Sequence, residues 1–336
     1  MRPRNKKRLF KLLTVAIVLL ALEGGARLLE AFSDKLPGPY ELHYGERPGF
    51  ELGTEVQSYD RVVAVNAGGY IGTYYPPERA PDTFRIVLLG DSMSFGFGVD
   101  YEQSWAYRLE QGLNRVASRR IELLNFSVPG FNTYMEYESY RQLAVRYRPD
   151  HVLVGYYPND AAVGERHLPN IWRNCPLDLP GWWQAAGVAA EYSGLVRVIH
   201  DLVCLWRFGQ PGNLTAHQLV IDPEFPGFRC SMFWLGQLQR ELDRDGIGMA
   251  VIQIPFLDRR DAPGGDPEAR AQEYLARLLE WKGFHGINLY PGTVGRDVMS
   301  MRLPDTHPNA AGHRMLAELL LERRHELGLP ADLLRH

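Results

Sequence analysis

The stretch Phe84-Arg85-Ile86-Val87-Leu88-Leu89-Gly90-Asp91-Ser92-Met93-Ser94-Phe95-Gly96 decides how the chain is read. An apolar run broken only by Arg85, with Ile86 and Val87 β-branched, suits a strand buried on both faces of a parallel sheet. It ends abruptly in Gly-Asp-Ser and opens into a glycine-punctuated loop, where backbone can turn tightly towards a helix. Open parallel sheets form their ligand crevices beyond the C-terminal ends of the strands, where Ser92 falls. A serine there also has the chemistry of a helix cap, and the stretch alone leaves both readings standing.

The pattern continues downstream. Trp105, Leu109 and Leu113 recur every four residues and mark one apolar helix face. A second strand over residues 121–126 runs into Ser127-Val128-Pro129-Gly130. Thr133 and Glu136 fit a capping box, and the helix they open buries Tyr140, Leu143, Ala144 and Tyr147 before Pro149 ends it. A third strand, residues 151–157, leads into Pro158-Asn159-Asp160. The rhythm breaks over about residues 161–229, an interval holding Trp172, Trp182, Trp183 and Trp206 and a helix expected near 189–208. This insertion reads equally as a lid or substrate platform, as structural elaboration, or as a partner surface. A helix over 232–244, a strand over 249–255, a helix over 267–282 and a strand over 287–290 resume the pattern. The loop Asp305-Thr306-His307-Pro308-Asn309 follows, with Pro308 expected in the first turn of a final helix reaching about Leu327. Strands alternating with helices predict an α/β domain with helices on both faces of a parallel sheet.

Upstream, residues 30–82 are rich in Gly, Pro and Tyr. They predict a stalk and a small β element, with a strand at Val62-Val63-Ala64-Val65, a glycine turn and a return strand reaching Ile71. The first eleven residues carry six bases and no acid, which leaves 31 basic against 40 acidic residues in the remainder. A body that acidic gives no electrostatic reason to expect nucleic acid as a partner. After the basic head, residues 12–22 contain only Thr14 as a polar residue. With Glu23 and Arg27 paired four apart on a helix, the segment over 12–29 predicts a membrane anchor. A cleaved signal peptide is the rival reading. In both, the basic head stays cytoplasmic and the body is exported. Cys175, Cys204 and Cys230 have no zinc-site spacing and allow one disulfide, whose pairing spacing cannot choose.

Four blocks, Gly90-Asp91-Ser92, Gly130, Gly155-x-x-x-Asn159-Asp160 and Asp305-x-His307, stand in order. The first three each follow a predicted strand of one sheet, so they converge on one crevice. From Phe84 to Leu327, the insertion excepted, this ordered set resembles the SGNH (GDSL-like) hydrolase family. The resemblance implies a flavodoxin-like three-layer α/β/α sandwich over residues 83–330. It also implies a membrane-anchored, envelope-facing branch, with the catalytic domain in the periplasm, or secreted if the N-terminal segment is cleaved. It implies Ser92 as nucleophile, His307 as general base and Asp305 as the acid orienting it, with Asp297 in reserve. The Ser92 and Gly130 amides and the Asn159 side chain form the implied oxyanion hole, and no cofactor or metal is required. The common family spacing puts the acid three residues before the histidine, whereas here the gap is two.

The expected activity is hydrolysis of an O-acyl ester, foremost O-acetyl on an envelope or secreted polysaccharide. The expected partners are an acylated glycan or other small ester, the membrane, and envelope polysaccharide machinery. The same groups serve a polysaccharide O-acyltransferase when a sugar hydroxyl replaces water. A non-catalytic glycan-binding or scaffold protein is the reading from a different class.

Overall fold

The computed structural model describes residues 3–33, 42–44, 52–59, 61–161, 189, 193–196, 198, 199, 203, 226–255, 257, 275–277, 279, 280, 283–297, 301–303 and 307–334. Five parallel strands form the central sheet: β4 (Thr83–Gly90), β5 (Arg120–Asn125), β6 (His151–Tyr156), β7 (Gly248–Gln253) and β8 (Gly286–Asn288). Their order is β5-β4-β6-β7-β8. The chain leaves β4 to one side for β5 and then crosses to the other side for β6. The C-terminal ends of β4 and β6 therefore flank a topological switch point, which is where such sheets open a crevice.

Every residue of β4 is buried, as expected of a central strand. Its side chains alternate between two cores, because successive residues of a strand point to opposite faces. Val87 and Leu89 join Val152, Val154 and Val251 under Tyr140, Leu235 and Leu238. Ile86 and Leu88 join Leu153, Ala250 and Ile252 under Trp105, Leu109, Leu316 and Leu320. Helices α4 (Thr133–Gln142) and α5 (Pro226–Asp245) thus cover one face, and α3 (Trp105–Asn114) and α6 (Ala310–Glu322) the other. The three layers follow directly.

Arg85, the one charge in the run, is fully buried against Glu122, its register partner on β5. Its guanidinium donates to Glu122 Oε2 at 2.7 and 3.0 Å and to the carbonyls of Pro76, Pro77 and Tyr147. A buried cation so fully satisfied is tolerated, and here it pins the segment before β4 to the sheet edge.

Several boundaries differ from expectation. Asn132, not Thr133, is the N-cap of α4, its side chain accepting from the Met135 amide. Asparagine caps better than threonine, so the helix starts one residue earlier and Glu136 is left outside a capping box. Likewise Asn309 caps α6, accepting from the Ala311 and Gly312 amides, which places Pro308 before the helix instead of in its first turn. Helix α5 begins at Pro226, ahead of the expected Met232. The return strand at Ile71 shrinks to single bridges with Val65 and Asn125. The strand expected at Val62–Val65 is present as β3 (Arg61–Ala64), and its partners are β2 (Leu52–Ser58) and, beyond it, β1 (Leu42–Tyr44), an antiparallel three-stranded sheet. Val56 of this sheet packs with Phe95, Phe97, Val128 and Phe131 beside the loop that follows Ser92.

Helix α1 (Pro3–Ser33) includes residues 3–11 of the basic head and the apolar run. Leu12, Val15, Ile17 and Leu20 are each more than half exposed. Among the described residues no helix is long and apolar enough to cross a membrane, so the expected span is not supported. Glu23 and Arg27 interrupt the apolar surface and pair as the spacing predicts, Arg27 Nε donating at 2.6 Å. Glu23 also accepts from Ser193 Oγ and from the Gly194 and Leu195 amides, which ties α1 to a turn of the insertion. These donors, with the Leu195 amide first, hold its carboxyl down to about 2. Cys230 on α5 is disulfide-bonded. Most of the insertion, the expected helix over 267–282 apart from 275–277, 279 and 280, and Cys175 and Cys204 lie outside the described residues.

Candidate active site

Beyond β4 the chain enters a one-turn helix, α2 (Ser92–Phe95). Asp91 is its N-cap, accepting from the Met93 amide at 2.8 Å. Gly96 closes it at φ +89, a left-handed conformation that glycine adopts without strain. Ser92 is thereby set at the first position of a helix, at the end of the central strand, with 9% of its surface exposed.

The partner comes from the far end of the chain. Leu303 N donates to His307 O at 2.7 Å and Asn309 N to Met301 O at 2.9 Å, so the loop before α6 is closed by two backbone bonds. Gly312 makes this approach feasible, since a Cβ there would lie 2.3 Å from Met301 O. The Phe97 ring packs on the imidazole with centroids 5.2 Å apart. The result is a hydrogen bond of 2.8 Å between His307 Nε2 and Ser92 Oγ. Two residues separated by 215 positions meet at the geometry that proton transfer from a nucleophilic hydroxyl needs. Asp305 lies outside the described residues, and the reserve acid Asp297 sits on an exposed loop position.

The other two expected residues sit at neighbouring strand ends. Gly130 follows β5 with φ +80, in a turn where Phe131 N donates to Val128 O. Asn159 lies in the 3₁₀ turn Pro158–Ala161 after β6. Its side chain donates to Asp91, and its Oδ1 is buried without a partner among the described residues. Asp160 steadies the turn by accepting from the Tyr157 amide at 2.7 Å.

Asp91 therefore does more than stabilise its turn. It is fully buried, touches the Ser92 hydroxyl at 3.5 Å and joins the Ser92 and Asn159 elements. Burial raises its pKa, opposed by the Met93 amide, the Asn159 side chain and the nearby His307. Glu136 and Asp160, also buried, are raised well above the carboxylate range by desolvation and then by neighbouring carboxylates. Sequence reasoning missed this cluster because a Thr-x-x-Glu pattern already explained Glu136. His313 is the packed histidine its helical position suggests: its Nδ1 accepts from the Trp105 amide at 3.3 Å, and burial pushes it down to about 3. A cleft of about 390 Å³ lined by Tyr75, Arg79, Arg120 and Glu122 lies near the start of β5, at the end of the strands opposite Ser92. Among the described residues no cluster of His, Cys, Asp or Glu is arranged to hold a metal ion.

A parallel α/β sheet that delivers a serine hydrogen-bonded to a histidine at its switch point defines a hydrolase of the serine type. The profile of the GDSL-like lipase/acylhydrolase family matches residues 88–315, more than half of the chain, and the chain belongs to that family. Ester hydrolysis is the family's chemistry. No curated protein sequence matches the chain. Among solved structures the chain is similar to TesA, with 14% identity and a TM-score of 0.43 over 72% of this chain and 99% of that one. It is similar to Axe2, an acetylxylan esterase from Geobacillus stearothermophilus, at 12% and 0.44 over 74% and 95%. LAE5, an α/β hydrolase from the metagenome of Lake Arreo, Spain, gives 16% and 0.44 over 75% and 99%.

Proposed function

We propose that the protein is a serine esterase that removes O-acyl groups, O-acetyl foremost, from an exported or envelope glycan. The observation that carries this reading is the 2.8 Å bond between His307 Nε2 and Ser92 Oγ. As Ser92 Oγ bonds to the ester carbonyl carbon, its proton passes to His307 Nε2. Collapse of the tetrahedral intermediate breaks the C–O bond to the sugar, whose oxygen takes that proton. Water then repeats the sequence on the acyl-enzyme and frees the carboxylic acid and Ser92. Asp305, two residues before the histidine, is proposed to hold the ring through Nδ1. The amides of Ser92 and Gly130 and the side-chain amide of Asn159 are proposed to meet the oxyanion. Glycine at 130 suits that role, since φ +80 is open to it without strain.

Export is supported by the Cys230 disulfide, a bond that persists outside reducing compartments. The basic head and the exposed apolar residues of α1 support attachment of that helix to a lipid surface, with the body on the extracytoplasmic side. The purified body should hydrolyse p-nitrophenyl acetate and label with a fluorophosphonate, and Ser92→Ala should lose both. Turnover that survives Ser92→Ala refutes the assignment. Product analysis with an acetylated glycan and a free glycan acceptor separates hydrolysis from acyl transfer, and recovery of label in the washed membrane fraction tests the attachment.

A further inference from the structure

Glu136 stands in the first turn of α4 with 1% of its surface exposed, and neither carboxyl oxygen has a hydrogen-bond partner among the described residues. A buried carboxylate in that condition would forfeit its hydration for nothing. Its surroundings add two more acids. Thr133, one turn earlier on the same helix face, donates to the Asp160 carbonyl at 3.3 Å and shares a bond of 2.5 Å with Ser231. That contact seats the first turn of α4 against the turn carrying Asn159 and Asp160. Asp91 lies across the adjoining strand ends, Gly90 being the register partner of Gly155.

The three acids are not equivalent. Asp91 has the Met93 amide, the Asn159 side chain and the nearby imidazole of His307, all of which favour its anion. Asp160 has the Tyr157 amide on one oxygen and nothing on the other. Glu136 has no donor among the described residues, so it is the member on which a proton resides. A neutral carboxyl carries an O–H that seeks an acceptor. Buried acceptors without donors stand on the neighbouring turn, Asn159 Oδ1 and Asp160 Oδ1.

We infer that Glu136 is a positioning residue that acts as a neutral acid, its O–H bound to the unpaired oxygens of the Asn159–Asp160 turn, directly or across one water, and so fixing the Asn159 amide for the oxyanion. The inference rests on the proposed Ser92 chemistry. An anion at Glu136 would repel Asp91 and Asp160 in a low dielectric and disturb the turn, so activity falls as pH rises through its elevated pKa. The other ionisable groups facing the cluster are Tyr156 from β6 and His307 beside Asp91, while Glu241 and Asp245 of α5 face Tyr137 and Tyr140 further along α4.

The test compares wild type, Glu136→Gln, Glu136→Met and Ser92→Ala by p-nitrophenyl acetate kinetics from about pH 6 to about pH 10. Glu136→Gln supplies a neutral donor of the same shape. It should fold, keep kcat within about threefold at neutral pH and lose the alkaline limb of the wild-type profile. Glu136→Met removes the donor and should lower kcat by roughly 10–10² with KM little changed, the cost of a misplaced catalytic group. Superimposable profiles of wild type and Glu136→Gln overturn the inference. Failure of Glu136→Gln to fold also does, because the neutral form is the one claimed to be native. Should Glu136→Met not fold, the Glu136→Gln profile decides alone. Activity surviving in Ser92→Ala instead marks failure of the underlying esterase reading.

Discussion

Gly155 lies in the middle of the site's scaffolding, and adding one methyl group there tests how α2 is held. A Cβ at Gly155 would sit 1.9 Å from Ser94 Oγ, 3.2 Å from Ser94 Cβ and 3.4 Å from Ile254 Cδ1. Only the first contact is impossible, and Ser94 cannot retreat freely because it is fully buried and its carbonyl accepts from Asn125 Nδ2 at 2.9 Å. Gly155→Ala should therefore cost about 1–3 kcal/mol, the usual penalty for overpacking. The Ser94 hydroxyl has no partner among the described residues, so Ser94→Ala alone should be neutral or mildly stabilising. In the double variant the 1.9 Å clash is gone and the remaining 3.2 Å contact needs a shift of only tenths of an ångström. Most of the lost stability should return, a coupling of roughly 1–2 kcal/mol. Ser94 is two residues from Ser92 on the same single turn, so Gly155→Ala should also depress kcat by up to about 10², restored in the double variant. Urea denaturation followed by tryptophan fluorescence, with ester hydrolysis on the same samples, measures both. Gly155→Ala within about 0.5 kcal/mol of wild type, or a double variant no more stable than Gly155→Ala, refutes this account of the packing.

Removing one partner of the buried ion pair, as in Arg85→Met, should cost about 3–5 kcal/mol by leaving Glu122 unpaired, and Arg85→Met with Glu122→Leu should recover much of it in the same urea assay. Asn159→Ala should lower kcat by about 10²–10³ if its amide meets the oxyanion, with KM for p-nitrophenyl acetate changed far less. His151 and His313 are held by burial at about 4 and about 3, below the ordinary value of 6.5. Both are neutral in folded and unfolded chains above about pH 6.5, so their contribution is fully present there. The unfolded state takes up their protons first as pH falls, so stability is lost from about pH 6.5 down to about pH 4 for His151 and about pH 3 for His313. Two protons give a slope of up to about 2.7 kcal/mol per pH unit, and replacing either histidine by Asn should flatten it in urea titrations.

The strand before Ser92 was legible because an apolar run ending in Gly-Asp-Ser has few other uses, and Ser92 and His307 do meet. Helix faces read from Trp105, Leu109 and Leu113 are likewise buried as the spacing requires. The two cap errors share a cause, which is competition between neighbours of similar chemistry. Asn132 outcompetes Thr133 for the cap, and Asn309 outcompetes a start at Pro308, because asparagine is the stronger acceptor for first-turn amides. The return strand at Ile71 keeps one bridge to Val65, and its other bridge is to Asn125 of β5, a partner more than fifty residues away. Glu136 and Asp91 were invisible as a cluster for the same reason. Their meaning lies in burial and in the turn after β6, and no local pattern encodes either.

One contact outside the site sets a length scale on the molecule. Glu23 stands immediately after the apolar run and grips three donors at residues 193–195 together with Arg27. A helix advances about 5.4 Å per turn, so sliding α1 by a single turn would part all three of the insertion's donors from the carboxylate at once. The acid thus works as an index mark. It fixes which turn of α1 faces residues 193–195 of the insertion.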